Sequence, residues 1–233
     1  MNNIEQNNPA DLADFLAEWR TRIEGSTTWG FVALAVIGLT NFGEHPVQST
    51  RLAEILGQSV REAEALAQRW GSPGTRVEDG LISVDPSQAK EAPRRQLRIG
   101  HRQFGVTGCA PDAILYAPLV RPSLQLEEIC STTGTPIQLE FTSDRVVRVE
   151  PASTVVPWLR FSPQELDQLE EMSTDEVDAN LCVQGPFFSS AEAAQGWLAT
   201  HPGGRIFPVR EAWDLSPLRK HRERLLAWLN LDH

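Results

Sequence analysis

Residues 124–141 read LQLEEICSTTGTPIQLEF, two segments rich in Leu, Ile and Phe on either side of a Thr-Gly-Thr-Pro turn signal. Short apolar segments separated by such turns are typical of antiparallel strands. Four further segments of this kind lie at 97–99, 103–106, 146–150 and 155–159. The sequence therefore predicts an antiparallel meander rather than a parallel α/β sheet, within an α+β fold.

Helical spacing dominates the first part of the chain. Apolar residues of 9–24 share one face, which predicts an amphipathic helix, and the apolar run at 28–41 predicts a buried helix that stops at Phe42-Gly43. Two short helices on either side of Gly57 and a hairpin with its turn at Asp79-Gly80 are expected next. Together these elements resemble a winged helix-turn-helix.

A polar stretch punctuated by proline, residues 85–96, predicts a linker between two domains. We expect a helical, winged-helix-like domain at residues 1–88. The second domain, residues 89–233, is expected to contain the sheet and the candidate catalytic residues.

Two helices are predicted after the sheet. The Ser-Ser-Ala-Glu run at 189–192 matches a capping box, and the helix that it opens is expected to end at the His-Pro-Gly-Gly run of 201–204. The last helix, 217–229, carries a basic run on its polar face. Such a run is usually solvated.

Charge and composition argue against several classes of function. The 233 residues carry a formal net charge of -10, and the helix predicted at 60–70 balances two arginines with two glutamates, so broad affinity for nucleic acid or anionic membranes is not expected. The longest apolar run, 29–39, is shorter than the roughly 20 residues that span a bilayer. Three cysteines without a close pair, and no signal-peptide pattern, indicate a reducing cytoplasm.

Nucleotide, dinucleotide, nucleophile-elbow and zinc-protease signatures are absent from the sequence. The adjacent carboxylates Glu127 and Glu128 do not face each other and are interpreted as solvated charge. A structural zinc site is disfavoured, because the chain has no C-x-x-C pair and no histidine with ligand spacing.

Candidate chemistry lies in the cysteines and one aspartate. Cys109 and Asp112 stand three positions apart, and Cys182 lies far from them in sequence. Two thiolates can hold a soft metal, and a carboxyl group can accept a thiol proton and return it. Pro111 suits the first turn of a short helix, which places Cys109 just before a helix N-terminus that favours a thiolate. The alternative is that these cysteines are inert core residues, as most free cysteines are.

Three blocks have a recognisable order and spacing: CAPDAILY at 109–116, CSTTGTPI at 130–137 and CVQGPFFSSAEAA at 182–194. In these blocks the chain resembles the organomercurial (alkylmercury) lyases. The resemblance extends from about Gln96 to Leu215, and the N-terminal helices also look like the helical first domain of that family. Each block is weak alone, but their joint order is specific.

The resemblance implies roles for four residues. Cys109 and Cys182 match the two catalytic cysteines and Asp112 the catalytic acid, all three disposed around the mercury of substrate or product, whereas Cys130 matches a third cysteine that is usually structural. The family cleaves carbon–mercury bonds by protonolysis to a hydrocarbon and Hg(II), with no organic cofactor and with free thiols taking part. By the same analogy, small thiols or a mercuric reductase would receive the Hg(II).

The residues that flank Cys109 and Cys182 depart from the family pattern. Thr107-Gly108 stands where an aromatic residue is common, and residues 183–186 lack the histidine of the family. Pocket shape and substrate are expected to differ accordingly. The alternatives are a homologue that cleaves carbon from sulfur, selenium, tin or lead with the same groups, and a regulator with a winged-helix domain that binds thiophilic metal.

Overall fold

The computed structural model describes residues 28–72, 74–85, 95–106, 108–159, 168, 171–173, 176 and 185–215. Its first part contains three helices and a small sheet. In chain order the elements are α1 (Thr28–Thr40), β1 (Val47–Gln48), α2 (Ser49–Leu56), α3 (Val60–Trp70), β2 (Thr75–Glu78) and β3 (Leu81–Val84). The three strands pair antiparallel in the order β1-β3-β2.

Local sequence explains these elements. Residues 32–40 of α1 are all buried, as expected for a helix that is apolar all round. Gly57 ends α2 in the left-handed region, with φ of 63°, and Ser59 and Glu62 form a capping box that begins α3. The Asp79-Gly80 turn has positive φ at both residues, which a tight type I′ hairpin requires.

The second part is built on a five-stranded antiparallel sheet. Its elements are β4 (Arg95–Ile99), β5 (Arg102–Val106), α4 (Ala110–Tyr116), a 3₁₀ turn (Ala117–Leu119), β6 (Ser123–Ile129), β7 (Pro136–Thr142), β8 (Val146–Glu150), β9 (Val155–Trp158), α5 (Gln195–Thr200), β10 (Arg205–Pro208) and α6 (Val209–Leu215). The strand order is β5-β4-β6-β7-β8, and β9 pairs with β10 in a separate two-stranded sheet. The α+β class and the antiparallel strands are confirmed.

The predicted meander is only partly correct. β6 pairs with β4 and not with β5, because the chain leaves β5 to form α4 before it returns to the sheet. The predicted sixth strand is β9, which pairs with β10 instead of extending the meander. β10 and α6 have no counterpart among the sequence predictions.

The boundaries of two further elements differ from the predictions. Arg95 and Gln96, assigned to the linker, begin β4, and the helix expected from residue 191 begins at Gln195 after a turn at 191–194. The helices expected at 9–24 and 217–229 and the domain boundary at 88/89 lie outside the described residues. None of the described helices is both long enough and apolar enough to cross a membrane.

The two parts meet at the end of α1. Phe42 stacks on Phe104 of β5, with ring centres 5.4 Å apart. The Asn41 side chain receives the N–H of Arg121 at 3.1 Å and donates to its carbonyl at 3.0 Å, as a neighbouring strand would. α1 also contacts α4. The N-terminal helices therefore pack directly on the part of the chain that contains Cys109.

Candidate active site

Cys109 lies at the junction between the sheet and a short helix. β5 ends at Val106, and Cys109 is the N-cap of α4, with an extended backbone (φ -74°, ψ 162°) and Pro111 in the first turn. Proline fits there because the first helical N–H groups have no partner within the helix. The short helix expected from Pro111 is thus confirmed, and the partly exposed Cys109 lies at its start.

Asp112 turns back toward Cys109. Its Oδ2 accepts the backbone N–H of Cys109 at 2.9 Å, and the two residues form a capping box. A Cβ on Gly108 would lie 3.0 Å from the same oxygen. A glycine before Cys109 therefore leaves room for this carboxylate. The structure thus places the carboxylate of Asp112, the predicted acid, at the backbone of Cys109, the first predicted cysteine.

A second segment crosses Cys109 from a distant part of the sequence. Ala110 donates its N–H to the carbonyl of Gly185 at 2.6 Å, and a Cβ on Gly185 would lie 3.3 Å from Cβ of Cys109. Three residues further on, Phe188 is fixed by paired hydrogen bonds with Val155, at 2.9 and 3.1 Å. Cys182 lies outside the described residues, three positions before Gly185.

A buried ion pair adjoins this site. Arg95 Nε donates to Glu128 Oε2 at 2.9 Å, and both side chains are 2% exposed. Arg95 Nη1 donates to the carbonyl of Gly108, and its guanidinium carbon lies 5.5 Å from the centre of the Phe187 ring. The interpretation of Glu128 as solvated charge was therefore wrong.

A family model described as alkylmercury lyase (MerB) matches residues 94–218. The alkylmercury lyase of Bacillus cereus is 32% identical over 174 residues, which cover 70% of this chain and 74% of the relative. The chain belongs to the alkylmercury lyase family. It is an enzyme, as the sequence resemblance implied.

Further comparisons agree with this membership of the alkylmercury lyase family. The alkylmercury lyase of Pseudomonas putida is 29% identical over 198 residues, covering 77% of this chain and 88% of the relative. A crystal structure of the mercury-bound form of MerB2 shares the fold, with a TM-score of 0.53 and 21% identity over 91% of this chain and 99% of that one.

Cys130, the third cysteine of this alkylmercury lyase family member, is fully buried at the β6–β7 turn. Burial raises the pKa of its thiol. Hydrogen bonds from the side chains and backbone of Thr133 and Ser189 have the larger combined effect and lower the pKa to about 7. Thr133 Oγ1 and Ser189 Oγ also lie 3.0 Å apart. The thiol thus connects the turn to the segment that crosses Cys109.

Three aromatic residues in this part of the chain are core residues. Trp158, Phe187 and Phe188 are at most 3% exposed, and Phe188 packs on Trp197 with ring centres 6.4 Å apart. The residues that the sequence reasoning missed are Arg95 and Glu128. Alternation would have found Glu128, because it follows Leu124 and Leu126 on the buried face of β6.

Proposed function

We propose that this enzyme cleaves the carbon–mercury bond of organomercurials by protonolysis, giving a hydrocarbon and Hg(II). The observation that carries the proposal is the pairing of Cys109 with Asp112 at the start of α4. Family membership supports the substrate class. The thiol supplies a soft ligand for mercury, and the carboxylate supplies a proton acceptor within one helical turn.

In the first step, Cys109 takes mercury from the small thiol that carries it. The Cys109 thiol loses its proton, Asp112 accepts it, and the thiolate displaces the carrier thiol from mercury. Asp112 passes this proton to the departing carrier thiol and becomes a carboxylate again, so the enzyme holds a Cys109–Hg–R adduct and no net charge is created. The glycine at 108 leaves room for the Asp112 carboxylate beside Cys109.

In the second step, Cys182 supplies the second thiolate. Its proton passes through Asp112 to the carbon bound to mercury, the carbon–mercury bond breaks, and the products are R–H and Hg(II) held by the two sulfurs. A second thiolate raises electron density on mercury and weakens the bond to carbon. This role is proposed for Cys182 because it matches the second catalytic cysteine of the family.

Small thiols complete the cycle by exchanging with the two cysteines and removing Hg(II). Neither a further metal nor an organic cofactor enters this scheme. A mercuric reductase would be a suitable recipient of the product, and a reducing cytoplasm would keep the cysteines as thiols. These assignments extend the proposal and depend on the protonolysis itself.

Hydrocarbon release by the purified enzyme tests the proposal directly. We expect methane from methylmercury and benzene from phenylmercury in the presence of excess thiol. Cys109→Ala and Cys182→Ala should abolish turnover, and Asp112→Asn should slow it by about 10²- to 10⁴-fold, the usual contribution of general acid–base catalysis. Cys130→Ala is the matched control, because it removes a thiol that the scheme does not use.

The results for these variants distinguish cleavage of the carbon–mercury bond from binding of the organomercurial alone. Loss of turnover in the three site variants with retention in Cys130→Ala would support the scheme. Tight retention of the organomercurial by the wild type without methane or benzene would contradict protonolysis.

We also propose that the helical, winged-helix-like domain, residues 1–88, serves as a packing module rather than as a DNA reader. α3 offsets Arg61 and Arg69 with Glu62 and Glu64, and Arg69 lies over the Trp70 ring at 4.5 Å. Phosphate contacts need unopposed cations. The burial of α1 and its contact with α4 support the packing role.

A further inference from the structure

Arg95 occupies a position that the thiol chemistry does not explain. It is the first residue of β4 and lies directly opposite Glu128 of β6, with which it forms the buried ion pair. Burying two charges costs their hydration, and apolar residues of similar volume often stabilise a fold at least as well. Stability alone therefore gives no reason for this pair.

The hydrogen bonds of the guanidinium are incomplete for a pair that serves stability. Nε is paired with Glu128 and Nη1 with the Gly108 carbonyl, but Nη2 is buried and has no hydrogen-bond partner among the residues that the structure describes. A buried donor without a partner is unfavourable. The position of the guanidinium is thus not the one that would satisfy all of its N–H groups.

The contacts that Arg95 does make converge on the active site. Gly108, which receives Nη1, directly precedes Cys109. Phe187, which lies under the guanidinium, is two residues from Gly185, whose carbonyl receives the N–H of Ala110. One side chain therefore touches both backbone segments that meet at Cys109.

We propose that Arg95 is a positioning residue of the lyase reaction. Its guanidinium, neutralised by Glu128, holds the Gly108 carbonyl and the Phe187 ring in one arrangement. It thereby sets the position of the Cys109 thiol relative to the segment that follows Cys182. The inference rests on the proposed function and deepens it. Arg95 acts through Cys109 and does not touch the substrate.

The chemistry of arginine suits this role. A planar guanidinium can pair with a carboxylate at one edge, donate to a carbonyl at another and lie over an aromatic ring. The ammonium group of a lysine is a compact point charge and cannot meet all three partners in a fixed geometry. Arg95→Lys therefore keeps the positive charge but loses the fixed contacts with the carboxylate, the carbonyl and the ring.

Two variants and one control separate positioning from stability. Arg95→Lys retains a cation beside Glu128. The double variant Arg95→Met/Glu128→Leu removes both buried charges together, and we expect it to fold with a melting temperature equal to or above that of the wild type. Arg148→Met is the matched control, because Arg148 also pairs with a glutamate of the sheet, Glu150, but both side chains are exposed.

Methane release at saturating methylmercury, with excess thiol, is the first readout. We expect kcat to fall on the order of 10- to 100-fold in Arg95→Lys and in the double variant, since a displacement of about 1 Å is enough for such losses. Arg148→Met should match the wild type. A folded double variant as fast as the wild type would overturn the inference, and if that variant does not fold, wild-type kcat in Arg95→Lys overturns it instead.

Retention of Hg(II) against competing dithiothreitol is the second readout, and it does not depend on turnover. Two correctly spaced thiols hold Hg(II) more tightly than either alone. We expect retention to weaken by roughly tenfold or more in both Arg95 variants, on the same effective-concentration argument. Retention of Hg(II) that is equal in the wild type and the Arg95 variants overturns the positioning role. If the wild type releases no methane but the variants still retain Hg(II) less tightly, only the proposed function is overturned.

Discussion

At the scale of single residues, the buried Cys130 thiol has a pKa that hydrogen bonds from Thr133 and Ser189 lower to about 7. Its folded-state pKa of about 7 is lower than that of a thiol in the unfolded chain, so its stabilising effect is complete above the unfolded pKa and is lost as the pH falls through about 7. We expect the free energy of unfolding to rise between pH 7 and 9, by at most about 3 kcal/mol.

Urea unfolding across this pH range, compared between the wild type and Cys130→Ala, measures the effect. Cys109 and Cys182 are present in both proteins, so their titration cancels in the difference. The variant should be less stable at pH 9 and should show a flatter pH dependence. Parallel curves for the two proteins would mean that Cys130 stays a neutral thiol in the fold.

At the scale of elements, a glycine at the start of α4 leaves room for the carboxylate of Asp112, the proposed catalytic acid. Gly108→Ala would place a Cβ 3.0 Å from Asp112 Oδ2, so the carboxylate must move away from the N–H of Cys109. We expect kcat for methane release to fall by about 10- to 100-fold with a smaller change in stability. Gly196→Ala in α5, where a Cβ meets nothing within 4 Å, is the control and should keep full activity. Equal rates in both variants would argue against a role for the Asp112 position.

Local patterns also explain which elements the sequence predicts. The strands of the main sheet, α2, α3 and the start of α4 follow from alternation, capping and proline, because these signals act between neighbouring residues. β10 and α6 together cover only residues 205–215, with no turn or cap strong enough to mark them. Alternation marks Glu128 as buried, but its pairing with Arg95 depends on register across two strands, which a single sequence does not display.

At the scale of the whole molecule, topology is the part that local signals cannot supply. The return of β6 beside β4 leaves α4 free to pack against α1, β9 and α6, so that the helix with Cys109 and Asp112 lies between the two halves of the chain. The contact of Gly185 with Cys109 likewise joins residues about 75 positions apart. The resemblance to a family could point to Cys182, whereas spacing along the chain could not.

The packing of the N-terminal helices on the sheet predicts that both unfold as one unit. Phe104→Ala removes the ring that stacks on Phe42 and should lower the free energy of unfolding by about 3 kcal/mol, the usual cost of such a truncation. Ile129→Ala, at a residue that is 59% exposed on the same sheet, is the control and should change stability by less than about 0.5 kcal/mol.

Hydrogen exchange decides whether the contact couples the two parts. If α1 and the sheet open together, the amides of both report the global opening. In Phe104→Ala, the amides of α1 should then lose the same free energy of protection as the amides of β4 and β6. Protection of α1 that stays at the wild-type level while the sheet weakens would show that the N-terminal helices are stable by themselves. The stacking of Phe42 on Phe104 would then not couple the unfolding of the two parts.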